Sequence, residues 1–221
     1  LALQKNWDPA IRAAEALEQL APGGATAARV LAQAHLERGR WTEAIVALER
    51  LKRRLPLDPY SFRELADLYR QLGRPDLALP NLIELHRRTM EDASYARQIA
   101  EVYGAAQGMD AQALAFWEEV ININPYDAGA YRAMTELHII ARRYEQAVRA
   151  AEDMRRVAPN AAESWTYLAI ARYRLGRSAR QPDTLREAKA AAEKALQLDA
   201  ESPKAREVIE RVDAALSDGP G

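Results

Sequence analysis

The chain has 221 residues, of which 31 are Lys or Arg and 32 are Asp or Glu, so its formal net charge is −1 at pH 7. This balance argues against non-specific nucleic-acid binding, which depends on a basic surface that releases counterions from phosphates. The absence of cysteine excludes disulfides, thiolate metal sites and thiol nucleophiles.

The distribution of apolar residues predicts an all-α protein. Hydrophobic residues make up 48% of the chain and recur at three-and-four spacing, and no stretch alternates convincingly with period two. The longest apolar runs, such as residues 44–48 and 137–141, fall far short of the roughly 20 residues that a membrane span needs. We therefore expect no membrane insertion.

Residues that typically start or end helices predict two single helices and five antiparallel helix pairs. N-cap residues followed by proline, as at Asp58-Pro59, start helices, and a single glycine is expected to end most first helices. These glycines are Gly39, Gly73, Gly108 and Gly176. The single helices are expected over 8–20 and 203–216, and the pairs over 25–38 with 41–54, 59–72 with 75–88, 93–106 with 110–122, 127–141 with 144–157, and 162–175 with 183–198.

The chain repeats itself with a period of about 34 residues, and fixed self-similarity of this kind is typical of solenoids. Three columns share the period. The first holds a small residue: Ala10, Ala44, Ala78, Ala113, Ala147 and, after a longer step, Ala188. The second is mostly proline: Pro22, Pro56, Met90, Pro125 and Pro159. The third is apolar, each member preceding a small residue: Leu31, Leu65, Ile99, Met134 and Leu168.

This pattern resembles the tetratricopeptide repeat family, with the fullest matches at Trp165, Leu168, Ala169 and Gly176, and at Tyr69, Ala78 and Leu85. The resemblance implies a right-handed α-solenoid whose first helices line a concave groove. It implies a single domain over 1–221 with an incomplete repeat, five repeats, a capping helix and a tail. The corresponding ranges are 1–24, then 25–58, 59–92, 93–127, 128–161 and 162–202, then 203–216 and 217–221.

Three features depart from the regular repeat. Pro80 falls inside a predicted helix, so we expect a kink or a delayed helix start there. The last pair carries seven extra residues, which predict a lengthened turn over 177–183. The helix at 8–20 looks like the second helix of an incomplete hairpin: either upstream sequence completes it, or its exposed face docks on another chain. The stripe of Val208, Ile209, Val212 and Leu216 is typical of a capping helix.

The sequence offers no candidate for catalysis, metal binding or a cofactor. His35 and His138 occupy equivalent first-helix positions three repeats apart, which favours packing, and His86 precedes two arginines at a helix end, where cations are favourable. No glycine-rich phosphate loop or nucleophile elbow is present.

Residues at matching places in successive first helices form columns that are expected to line the groove. Arginine occupies one column, a mostly acidic column follows one helical turn later, and four further residues project toward the same surface. The arginine column is Arg29, Arg63, Arg97 and Arg132. The mostly acidic column is Gln33, Asp67, Glu101 and Glu136. The four further residues are Tyr60, Arg70, Ile139 and Tyr173. The charged columns are either intrahelical ion pairs at i, i+4 or a ladder that binds a peptide. Ile139 and Tyr173 are either core residues or anchors for a partner.

We predict a non-enzymatic scaffold that binds a peptide or helix of another protein in this groove. The two-carboxylate clamp of family members that hold chaperone tails is not reproduced, because Glu64 and Asp67 bring negative charge to it. One alternative is an accessory repeat region of a larger enzyme, and another is self-assembly into a homo-oligomer through the incomplete hairpin. The basic cluster from Arg50 to Arg54 is either a set of solvated helix-end cations or a contact for an acidic partner. The compartment stays open, cytoplasmic or periplasmic.

Overall fold

The computed structural model describes residues 7–20 and 24–217, and over these residues the chain forms twelve α-helices and no strand. They are α1 (Asp8–Leu20), α2 (Ala25–Glu37), α3 (Trp41–Arg54), α4 (Pro59–Gln71), α5 (Pro75–Arg88), α6 (Ala93–Ala105), α7 (Asp110–Ile123), α8 (Ala128–Ile140), α9 (Tyr144–Val157), α10 (Ala162–Ala179), α11 (Pro182–Leu198) and α12 (Pro203–Ser217). The predicted all-α class is confirmed. Pro22, most of the incomplete repeat's first residues and the tail after Ser217 lie outside the described residues.

The helices form two compact units that divide between Met90 and Glu91, two residues before the predicted end of the repeat over 59–92. In the first unit, α2 pairs with α3 and α4 with α5, and α1 packs on α2. In the second unit, α6 pairs with α7, α8 with α9 and α10 with α11, while α12 packs on α11 and α10. Each pair is a hairpin of a first and a second helix joined by a short turn, as the repeat predicts.

The repeating small residue lies at the helix contacts of both units. Five alanines of this column, on the second helices, have no exposed surface: Ala44, Ala78, Ala113, Ala147 and Ala188. Most of the apolar column on the first helices is also buried, together with the small residue that follows it. Small side chains at a crossing let two helix backbones approach closely. The repeat columns are therefore the packing surfaces of the hairpins.

Helix ends follow the predicted capping signals in most repeats. The carboxylates of Asp58 and Asp127 accept hydrogen bonds from the backbone N–H groups of Tyr60 (3.2 Å) and Ala130 (3.0 Å). Gly39, Gly73 and Gly108 follow first helices with positive φ angles of 66°, 67° and 80°. Glycine adopts this left-handed conformation without the steric cost of a Cβ, so it ends the helix.

Gly176 does not end a helix, and the predicted lengthened turn after it is wrong. Helix α10 continues to Ala179, and the left-handed residue that follows it is Arg180, with φ 53°. A Cβ on Gly176 would lie 2.9 Å from Cγ and Cδ2 of Leu185 on α11. The extra residues thus lengthen the hairpin, and the glycine serves the close contact between its two helices.

The expected delay at Pro80 is also wrong, because α5 begins at Pro75 and includes Pro80. The buried Asn81 beside it donates a hydrogen bond from its side-chain amide to the backbone carbonyl of Leu77 (3.0 Å). The same Asn81 side chain accepts a hydrogen bond from Lys52 on α3 (3.1 Å). Pro80 has no N–H to donate to the carbonyl of Asp76, four residues earlier, and α5 nevertheless continues through it to Arg88.

Helix α12 covers the end of the second unit as the sequence predicts. Val208 and Val212 are buried, and Ile209 and Leu216 pack against the same cluster as side chains of α10 and α11. Lys189 on α11 holds Asp213 on α12 in an ion pair of 2.6 Å. The apolar stripe thus faces the hairpin, which is what a capping helix requires.

The Gly176 contact predicts opposite effects for two alanine substitutions. Gly176→Ala should lower the free energy of unfolding by about 1–3 kcal/mol, because the new Cβ overlaps Leu185. Gly104→Ala, in α6, places its Cβ 3.8 Å from the Ala113 Cβ, an ordinary contact. It should leave stability unchanged or raise it by up to about 1 kcal/mol. Urea unfolding of both variants tests this, and equal stability of the two would contradict the close contact.

Candidate functional site

The structure divides the predicted groove residues between the two units. In the first unit they lie on α2 and α4: Arg29, Gln33, Tyr60, Arg63, Asp67 and Arg70. In the second unit they lie on α6, α8 and α10: Arg97, Glu101, Arg132, Glu136, Ile139 and Tyr173. We call these two sets the first-unit face and the second-unit face.

Three arginines of the arginine column bind carboxylates at the start of the next first helix. Arg29 pairs with Asp58 and Arg97 with Asp127, and both acids are the N-cap residues of the following first helices. Arg132 pairs with Glu163, in the first turn of α10, at 3.1 Å. The expectation of intrahelical pairs from Arg97 to Glu101 and from Arg132 to Glu136 is therefore wrong for these two arginines.

The N-cap carboxylates explain this choice of partner. Asp58 and Asp127 each accept a backbone N–H of their own helix, which holds the carboxylate at the start of that helix. A carboxylate at a helix N-terminus is also stabilised by the helix dipole. An acid four residues after an arginine on one helix has the less favourable order for an ion pair. For Arg29 and Arg97 the sequence signal is an N-cap acid about 30 residues later, whereas Glu163, the partner of Arg132, lies in the first turn of α10 after the N-cap residue Ala161.

On the first-unit face, Tyr60 connects α2 and α4. The guanidinium carbon of Arg29 lies 4.9 Å from the centre of the Tyr60 ring, and the Tyr60 hydroxyl donates a hydrogen bond to Oε1 of Gln33 at 2.9 Å. Gln33 in turn donates to Glu37 at 3.1 Å. Burial raises the pKa of Tyr60, so its phenol is a neutral donor at physiological pH. These predicted residues thus form one connected network.

The rest of the first-unit face carries negative charge on α4. Asp67 lies 3.9 Å from Arg70, a loose contact between exposed side chains. Burial, and then the charge of Asp67, raises the pKa of the neighbouring Glu64. Arg63 lies exposed on the same helix. Because Glu64 and Asp67 lie close together, this part of the face favours the binding of a cation rather than of a carboxylate. This agrees with the absence of a carboxylate clamp from the sequence.

On the second-unit face, a buried tyrosine that the sequence analysis missed holds Glu136. The Tyr167 hydroxyl on α10 donates a hydrogen bond to Glu136 on α8, and burial, followed by this hydrogen bond, raises the pKa of Tyr167. Lys204 of α12 lies 5.4 Å from the centre of the Tyr167 ring. Glu136 therefore keeps a fixed position at the junction of α8 and α10.

Ile139 and Tyr173 pack against the core cluster of α9 to α12, which supports the core interpretation of both residues. The next residue on α8, Ile140, is 71% exposed. On α6, Glu101 is exposed and forms no hydrogen bond or ion pair within the described part of the chain. Ile140 and Glu101 are thus an apolar and a charged side chain that the second unit leaves to solvent.

The histidines are packing residues rather than ligands in the described residues. Burial lowers the pKa of His35 and of His138, so both rings are uncharged at neutral pH. His86 is buried in the last turn of α5. Across residues 7–20 and 24–217, no group of three or more His, Asp or Glu side chains is placed to hold a metal ion. Nor does any described helix combine the length and the apolar character that crossing a membrane requires.

Two tetratricopeptide repeat family profiles match the sequence, over residues 1–63 and over residues 138–203, and together they span more than half of the chain. The chain belongs to the tetratricopeptide repeat family. Both matched ranges include helix hairpins whose alanine columns are buried, so the family pattern and the packing agree. No curated protein sequence matches the chain significantly.

Solved structures confirm the tetratricopeptide repeat fold. A crystal structure of MamA matches with a TM-score of 0.65 at 17% sequence identity, over 80% of this chain and 92% of that one. The MamA 41-end structure from Desulfovibrio magneticus RS-1 matches with a TM-score of 0.61 at 19% identity, over 81% and 97%. YrrB, described as a TPR protein with an unusual peptide-binding site, matches with a TM-score of 0.56 at 20% identity, over 69% and 78%. At these identities the likeness establishes the fold.

The two bonds of Asp127 predict a graded loss of stability in this tetratricopeptide repeat chain. Asp127→Ala removes both the cap of α8 and the partner of Arg97, and should cost about 1–2 kcal/mol. Asp127→Asn keeps the capping oxygen and removes only the charge, so it should cost less than half of that. Thermal or urea unfolding of both variants measures the difference. Equal losses in the two variants would contradict this prediction, because the charge that pairs with Arg97 would then account for the whole effect and the cap for none.

Proposed function

We propose that this tetratricopeptide repeat chain is a protein-interaction scaffold and that the second-unit face binds an extended segment or a helix of another protein. The observation that carries the proposal is the pair Glu101 and Ile140, which the unit leaves exposed beside the fixed Glu136. An exposed apolar anchor next to charges is the usual composition of a protein-binding surface.

The ion pairs of the arginine column define the chemistry of the partner. Because Arg97 and Arg132 are neutralised by Asp127 and Glu163, the uncompensated charge on this face comes from Glu101 and Glu136. Carboxylates accept hydrogen bonds from backbone N–H groups and from Lys or Arg side chains. The partner segment is therefore basic, with an apolar side chain placed to contact Ile140. This replaces the idea of an arginine ladder that binds carboxylates.

The fold of the neighbours supports a scaffold role without naming the partner. YrrB shares the fold and is described as having a peptide-binding site, which places peptide recognition among the uses of this architecture. Binding at a helical-repeat surface needs no catalytic residue, because it depends on contacts with an exposed helix face. We infer that recognition, rather than a reaction, is the role of the chain.

One double variant of the second-unit face tests the proposal, with a random twelve-residue peptide display library as the probe. The double variant Glu101→Lys with Ile140→Asp reverses the free charge and removes the apolar anchor, and neither side chain contributes an interhelical ion pair. Peptides enriched on the wild type should be rich in Lys and Arg with an apolar residue. Their affinity should fall by about tenfold or more on the double variant, the equivalent of one lost anchor.

The matched control is Glu118→Lys, which reverses an exposed acid on the second helix α7. It should retain the enriched peptides at wild-type affinity, with circular dichroism confirming the helix content of all variants. The proposal fails if no peptide is enriched, or if the enriched peptides bind the double variant as well as the control.

Self-assembly through the incomplete hairpin is a second candidate, favoured by the exposure of Leu17 (41%) and Leu20 (85%) on α1. Leu17→Glu with Leu20→Glu should then abolish any dimer seen by sedimentation velocity, because charged side chains would replace the apolar contact. A monomer at all concentrations in the wild-type protein would eliminate this candidate. An enzyme upstream of the repeats stays an expectation that only the longer reading frame tests.

A further inference from the structure

A groove in the first unit runs between α1 and α3, with α2 as its floor. It has a volume of about 480 Å³, which is within the size range of ligand pockets. Its floor is formed by Ala28, Leu31 and His35, and Val46 of α3 lines one wall with 47% of its surface exposed. This groove is distinct from the second-unit face, which lies on α6, α8 and α10.

The repeat explains why this groove is open. Ala28 belongs to a column that holds an aromatic residue in three of the five repeats: Ala28, Phe62, Ala96, Tyr131 and Trp165. In the next repeat, Phe62 lies between α3 and α5, where Arg88 approaches its ring centre at 4.6 Å and Lys52 at 5.5 Å. In the last repeat, Arg155 lies 5.2 Å from the Trp165 ring. Only a methyl group stands at this place on α2.

The neighbouring residues of the floor are also smaller, or less buried, than their equivalents in other repeats. His35 stands where the next repeat has Tyr69, one period later. Leu31 remains partly exposed, whereas its equivalents Leu65 and Leu168 are buried. Since protein interiors are packed to near crystal density, the missing ring leaves space that the surrounding side chains do not fill. The groove therefore has room for one aromatic side chain beside Ala28.

One of the two cations that accompany the ring in the next repeat is present in this one, whereas Lys52 is replaced by Glu18 one period earlier. Arg54 is one period before Arg88, which stacks on Phe62. Arg50, Arg53 and Arg54 surround the end of the groove next to Ala28, all three are exposed, and within the described part of the chain none forms an ion pair. A guanidinium over an aromatic face is favourable, and free guanidinium groups bind carboxylates.

We propose that this groove receives an aromatic side chain of another protein, from a segment that carries acidic residues next to the ring. The ring occupies the space beside Ala28, Arg54 stacks on it as Arg88 stacks on Phe62, and Arg50 and Arg53 bind the flanking carboxylates. The partner is a protein segment whose few carboxylates can lie against the arginines, rather than a nucleic acid or an anionic bilayer. Glu18 lies beside these arginines and Glu15 and Glu43 line the groove further on, so a continuous polyanion would meet three acids.

The probe is a synthetic peptide, acetyl-Glu-Trp-Glu-Glu-amide, in which the tryptophan carries a 5-fluoro label for fluorine NMR. Ala28→Phe restores the ring of the repeat column and fills the groove. This variant should bind the peptide at least about tenfold more weakly than the wild type. Its melting temperature should be equal or higher, because the new ring packs where Phe62 packs in the next repeat.

Arg54→Ala keeps the groove open and removes the stacking cation, so affinity should fall about threefold. Arg149→Ala, an exposed arginine on α9, is the matched control and should bind as the wild type does. The Glu101→Lys, Ile140→Asp protein should also retain this peptide, so failure of the second-unit face and failure of this groove are separate results.

Wild-type affinity in Ala28→Phe, or in Arg54→Ala, overturns the proposal. If Ala28→Phe does not fold, Arg54→Ala decides alone, because Arg54 is exposed and forms no ion pair within the described residues. A wild-type dimer that Ala28→Phe converts to a monomer in sedimentation velocity also overturns it, since the occupant is then a second copy of this chain.

Discussion

The close contact between the two helices of each hairpin is the constraint on which the rest of this structure depends. Alanine meets it in every complete repeat, with no exposed surface at Ala44, Ala78, Ala113, Ala147 and Ala188. At the last hairpin the helices approach so closely that Gly176 has no room for a Cβ against Leu185. Because the contact is the same from repeat to repeat, residues one period apart have equivalent surroundings. Columns of residues, rather than single residues, therefore define the faces of each unit.

Most helix boundaries could be read from the sequence, since capping and periodicity are local signals. Eleven of the twelve helices end within one residue of the expected position, and the exception is the end of α10. A glycine has two uses that look identical in sequence: a left-handed helix end, as at Gly73, and a close helix contact, as at Gly176. Which one applies depends on the partner helix, so sequence alone does not separate them.

The faces were harder to predict because their chemistry depends on pairs that are distant in sequence. The arginine column was placed on the correct helices, but Arg97 and Arg132 choose carboxylates about 30 residues away instead of four. Ile139 and Ile140 differ by one position, yet the first packs against the core and the second is exposed, since one residue rotates about 100° around a helix. The groove beside Ala28 could be found from sequence only by noticing which member of an aromatic column is missing.

The ion pairs that join an arginine of one first helix to the start of the following first helix make neighbouring hairpins depend on each other. Asp127 caps α8 through its bond to the Ala130 backbone and also receives Arg97 of α6, and Glu163 in the first turn of α10 receives Arg132 of α8. The start of one helix is thus stabilised by the folded state of the one before it. The coupling is mutual, so the loss of one hairpin also removes a partner from its neighbour, and adjacent hairpins of the second unit support each other.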